Sequence, residues 1–134
     1  MSAMQRRKGQ SGEREVCTLI RDWLGIDAHR NWQEQSAGGG ADILSIPGYA
    51  IEVKLASVAQ TRLWWHQACE QAHKANMIPA LVWRITGQGR GLNDLEKWRV
   101  RLPLSVVVRT PGISDEWCEM TLGTWFGIIR ERMT

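Results

Sequence analysis

The sequence predicts an α/β domain in which helices flank a mixed β-sheet. Three observations carry that reading. Val16, Leu19, Ile20, Trp23 and Leu24 recur at helical spacing near the start, and Leu122, Trp125, Phe126, Ile129 and Met133 do so at the end. Between them, apolar or alternating runs at 41–46, 49–55, 79–85 and 98–102 have the length and composition of strands. A third helical run, 61–76, lies among those strands, an order that lays helices against a sheet. With 134 residues the chain is one domain, large enough to bury a core without disulfides or a structural metal.

Taken in order, residues 1–10 are polar, with Arg6, Arg7 and Lys8 in succession, and are expected to form a flexible basic arm ahead of a domain spanning 11–134. Ser11 suits an N-cap and Gly25 a helix stop. A short strand is expected at 29–32, then a Gly-rich polar loop at 33–40, then the two strands on either side of Pro47-Gly48. In the second helix Trp64, Ala68, Ala72 and Ala75 share one side, and the small alanines let it sit close to a sheet. The run 79–85, "PALVWRI", is mostly apolar, as a central strand would be, and 86–96 reads as a loop. Trp98, Val100 and Leu102 alternate with Arg99 and Arg101, a half-exposed strand, and 104–109 is expected to be another.

Composition narrows the function classes. The three cysteines are distant and form no CxxC, so neither a disulfide framework nor a zinc knuckle is indicated. No apolar run approaches the roughly 20 residues that span a bilayer, and no charged-then-apolar leader opens the chain, so a cytoplasmic protein without membrane partners is expected. "GQGRG" matches no phosphate-binding fingerprint, so no nucleotide cofactor is expected. A net charge of +3 suits a polyanionic partner without requiring one.

The chemistry concentrates in "GGGADILSIPGYAIEVK", residues 38–54. Side chains alternate across a strand, so Glu52 and Lys54 share one face while Ile51, Val53 and Leu55 share the other. Carboxylate oxygens suit Mg2+, and Asp42 is close enough through the turn to join Glu52. Register decides whether it does. A strict two-residue loop sets Asp42 opposite Val53, on the wrong face. A three-residue connection or a bulge restores the shared face, and Pro-Gly favours a type II turn, which is not the usual hairpin turn, so one of those irregularities is expected.

Helical phase selects a third acid. At about 100° per residue, Glu13 lies about 60° from the centre of the apolar stripe, against about 100° for Glu15 and about 160° for Arg14. Glu13 either faces the sheet or serves the helix dipole as a first-turn acid. Gln67 and Gln71 are one turn apart on the inward side of the second helix. Gln67 bonds either to backbone or to a metal-bound water or phosphate, and His29, His66 and His73 are expected to be structural or exposed.

"GADIL" followed by "IEVK" resembles the D-x(n)-(D/E)-x-K signature of the PD-(D/E)xK nucleases. With "KGQSGERE" upstream, the Gly-rich loop before Asp42 and the Gln-bearing helix before "PALVWRI", the chain is similar over residues 8–85 to archaeal-type Holliday junction resolvases and their phage relatives. Ala41 stands where the signature has Pro, which is not a ligand.

That resemblance implies a restriction-endonuclease-like fold and a Mg2+-dependent DNA endonuclease, with Mn2+ expected to substitute. It implies that Asp42, Glu52 and the Val53 carbonyl bind the metal, that Glu13 assists, and that Lys54 orients or activates the attacking water. Ser36 falls where resolvases carry a serine-containing active-site loop, and with Arg6, Arg7 and Lys8 it is a candidate DNA contact. Relatives of this kind cut four-way junctions as homodimers, and a prokaryotic or phage origin follows. The competing readings are a restriction, repair or DNA-end-processing nuclease of the same fold, and a non-catalytic nucleic-acid-binding protein.

Overall fold

A computed structural model of the chain describes residues 3–31, 40–108 and 115–133, without the side chains of residues 4–6. Its elements are α1 (Ala3–Leu24), β1 (Tyr49–Ala56), α2 (Thr61–Ala75), β2 (Ile78–Ile85), the short α3 (Asp94–Lys97), β3 (Arg99–Pro103), a single 3-10 turn (Leu104–Val106), β4 (Trp117–Thr121) and α4 (Leu122–Arg132). The strands form one mixed sheet in the order β1-β2-β3-β4. β1 and β2 are parallel, which requires the crossover that α2 supplies, and the two remaining pairings are antiparallel. The apolar run of β2 does occupy an interior position, between β1 and β3.

The alternation of each strand sorts its residues between two layers. On one face Ile51, Val53, Val82, Val100 and Leu102 meet Val16, Leu19 and Ile20 of α1 and Leu122, Trp125 and Phe126 of α4 in the main core. On the other, α2 sets Trp64 and Ala68 against Leu81 and Ile85, and Ala72 against Ala41 and Ala50. Gly12 lets α1 lie close on β1: a Cβ there would stand 3.1 Å from the Leu55 Cβ. The glycine weakens the helix locally but permits that approach.

Three sequence expectations need correction. α1 begins at Ala3, eight residues before Ser11, so the stretch expected to be a flexible arm is helical from Ala3 onward. Met, Gln, Arg and Lys in that stretch are good helix formers, and the helix simply continues through Ser11. Where a strand was expected at 104–109, residues 104–106 form the 3-10 turn, closed by Val107 and Val108 N–H donating to the Leu104 carbonyl at 3.0 Å, and Arg109 lies outside the described residues. The edge strand β4 carries no strand signal as strong as the others, and it forms because Arg99 to Pro103 offers it a partner. The strand expected at 41–46 is reduced to a bridge at Ile43, which pairs with both Arg30 and Ile51.

Candidate active site

The turn at Pro47-Gly48 sets the geometry of the acids. Tyr49 N–H donates to the Ile46 carbonyl at 3.1 Å, and Gly48 has φ +88°, the type II turn that Pro-Gly favours. Ile43 then lies opposite Ile51, so an extra residue is accommodated between turn and bridge on the first strand. Asp42 and Ile43 N–H both donate to the Ile51 carbonyl, at 2.9 and 3.1 Å, the hydrogen-bond pattern of a bulge. Of the two irregularities expected, the bulge is the one present. It brings Asp42 level with Glu52, where a three-residue connection would have set it opposite Lys54.

Asp42 Oδ2 accepts from the Val53 N–H at 2.7 Å, so the carboxylate replaces a backbone acceptor on the edge of β1. Glu13 reaches the same place from α1, one of the two readings its helical phase left open, while Glu15 accepts from Trp98 Nε1 at 2.9 Å and stays outside. Glu13, Asp42 and Glu52 are 8 %, 8 % and 7 % exposed. Together with Lys54, Val53 and Lys8 they line an open groove of about 1000 Å³.

Burial disfavours the charged form of all three acids. It raises Asp42 from 3.8 to about 8, with Glu52 adding to the effect by like-charge repulsion. Burial also raises Glu52, against the pull of Asp42 and the Lys54 ammonium, and it raises Glu13, with Asp42 adding and Arg30 opposing. Glu52 Oε2 is buried with no hydrogen-bond partner among the described residues. Among those residues no set of three or more His, Cys, Asp or Glu side chains has the spacing of a formed metal centre. The donor set nevertheless fits a hard divalent cation, because it consists of carboxylate oxygens whose mutual repulsion such an ion would relieve.

A pH dependence follows. The folded chain keeps a proton on Asp42 between pH 3.8 and about 8, where the unfolded chain has released it. With a chelator present, this group's contribution to stability is full below that window and falls as pH rises through it, by up to about 1.4 kcal/mol per pH unit. Urea midpoints of the wild type and Asp42→Asn should therefore diverge in favour of the variant as pH rises. Parallel profiles would contradict the buried, proton-holding Asp42.

The other candidates divide. Gln67 does not line the groove, whereas Gln71, one turn on, does, with its Oε1 buried and unpartnered among the described residues. The position of α2 over β1 sets Gln71, and not Gln67, on the groove. Arg7 is exposed, its Nε reaching the Ala3 carbonyl at 3.4 Å. Ser36 and the side chain of Arg6 lie outside the described residues. His29, His66 and His73 are exposed and away from the groove.

One residue was missed altogether. Arg30, 8 % exposed, donates from Nε to Glu13 Oε2 at 2.5 Å. A lone arginine in a short strand just before the Gly-rich loop was the available signal.

No helix of the described residues is long and apolar enough to cross a membrane. The four-stranded mixed sheet with flanking helices is consistent with a restriction-endonuclease-like fold. None of the curated proteins compared with the chain matches it. Residues 4–111 match the family described as "Phage putative PDDEXK endonuclease", a span that holds Glu13, Asp42, Glu52 and Lys54. The chain belongs to this phage family of the PD-(D/E)xK nuclease superfamily.

Proposed function

We propose that this chain is a Mg2+-dependent DNA endonuclease that hydrolyses phosphodiester bonds, with four-way junctions as its substrate and a homodimer as its working form. The observation that carries the hydrolytic part is the convergence of three buried carboxylates beside Lys54 in an open groove. The junction and the dimer are supported by the resemblance over residues 8–85 to junction resolvases.

In this reading Asp42, Glu52 and the Val53 carbonyl would hold the cation. A bound divalent ion supplies charge stabilisation at the phosphate oxygens and a water that deprotonates near neutral pH. The chain's own groups do the rest. The Val53 N–H fixes the Asp42 carboxylate against β1, which limits its rotation. Lys54, on the same face as Glu52, orients the attacking water and balances charge on the phosphate. Gln71 presents an unpartnered amide oxygen to the groove, able to accept a hydrogen bond from that water. Water oxygen bonds to phosphorus and gives up a proton to solvent, the bond to the leaving sugar oxygen breaks, and that oxygen takes up a proton from solvent. Lys8 lies on the groove wall where a phosphate backbone would pass.

The test compares a four-way junction, a flap, linear duplex and single strand at one fixed salt concentration, with Mg2+ and with chelator, because backbone affinity varies strongly with salt. Junction cleavage at least about tenfold faster than duplex cleavage, and only with the cation, is the expected result. Preference for linear ends would favour an end-processing nuclease. Binding without cleavage of any substrate would favour a non-catalytic protein.

A further inference from the structure

Arg30 is held by the same backbone that carries Asp42. Its own residue bridges Ile43, the next N–H, of Asn31, donates to the Asp42 carbonyl at 2.8 Å, and Asn31 Nδ2 donates to the Ala41 carbonyl at 3.0 Å. The guanidinium is therefore a fixed charge, set against Glu13 from α1 by a buried ion pair of 2.5 Å. Three carboxylates carry three negative charges when ionised, and Arg30 cancels one of them. What remains is two carboxylate charges, on Asp42 and Glu52 beside Lys54, enough to hold one divalent cation and too few to hold two.

We propose that Arg30 is a positioning residue that keeps the Glu13 carboxylate engaged within the protein, so that Asp42 and Glu52 without Glu13 take the cation and the cluster holds one ion. The inference rests on the cation-dependent reading of the site. Because a buried pair removed as a pair is often energetically neutral, whereas removal of one member strands the other, the two partners can be tested together. Without Arg30, the cluster gains a full negative charge. Without both, its net charge is unchanged.

The experiment is a calorimetric titration of Mn2+ into the wild type, Arg30→Gln, Glu13→Gln/Arg30→Gln and Asp42→Asn, with circular dichroism to establish folding. The wild type and the double variant are expected to bind one ion each, with affinities within about threefold, as expected where a non-ligand pair is removed without change of net charge. Arg30→Gln alone is expected to bind at least about tenfold more tightly or to take a second ion. A purely structural Arg30 would not move the stoichiometry or tighten binding. Should Arg30→Gln fail to fold, the double variant still decides. Loss of Mn2+ binding by the double variant to the extent seen with Asp42→Asn would make Glu13 a ligand and overturn the inference alone, as would two ions in the wild type. No Mn2+ bound to the wild type would overturn the cation-dependent reading and this inference with it.

Discussion

Glu52→Gln is expected to lower the rate of DNA cleavage by about a hundredfold to a thousandfold or more, with DNA binding retained or tightened. The substitution keeps the shape of a side chain that is 7 % exposed and removes its charge, so the fold has no reason to yield. The Oε2 atom has no partner among the described residues, so no hydrogen bond of the described fold is lost there. Burial works against ionisation of Glu52 and Glu52 works against ionisation of Asp42, so the amide relieves both strains. Near pH 8, with chelator, the thermal midpoint of the variant is therefore expected to equal or exceed that of the wild type. The two readouts together are decisive: an inactive variant that is also less stable would show only damage to the fold. Full cleavage by Glu52→Gln would refute the site.

Trp98→Ala is expected to destabilise the fold by about 3–5 kcal/mol. The indole is fully buried between the sheet and α1, and its Nε1–H donates to Glu15 Oε1 at 2.9 Å. It also lies 3.5 Å from the position of an added Gly12 Cβ, so it fills the space beneath the turn of α1 that carries Glu13. A cavity there would loosen the helix just where it delivers an acid to the groove, and cleavage should fall along with stability. Trp98→Phe separates the contributions. It keeps most of the ring and gives up the hydrogen bond, for a loss of about 1 kcal/mol on that account. Urea unfolding measures both, and an alanine variant within 1 kcal/mol of the wild type, a margin well below the usual cavity effect, would refute the packing argument.

The site was legible wherever its geometry is local. Alternation along "IEVK" put Glu52 and Lys54 on one face, and both do line the groove. Helical phase separated Glu13 from Glu15, which differ in their partners as well: Arg30 for the first, Trp98 and Arg84 for the second. The parity of the Pro47-Gly48 connection called for an irregularity, and a bulge is there. The arm expected at 1–10 is helical from Ala3 onward: a helix start was inferred from a capping residue, and Ser11 is equally tolerated within a helix whose neighbours favour it. β4 was not anticipated because an edge strand draws its stability from the strand it pairs with, and that partner is distant in sequence.

By itself the sequence determined which residues share a face, because the periods of two and of 3.6 residues are properties of the backbone. It thereby also determined that Asp42 and Glu52 could meet. Only the tertiary structure decided which charges do meet. Arg30 and Glu13 are brought within 2.5 Å by the packing of α1 beside the Arg30–Ile43 bridge, and Gln71 displaces Gln67 through the way α2 lies on the sheet. Coulomb energy depends on distance in space and on the surrounding dielectric, and neither is encoded in a local period.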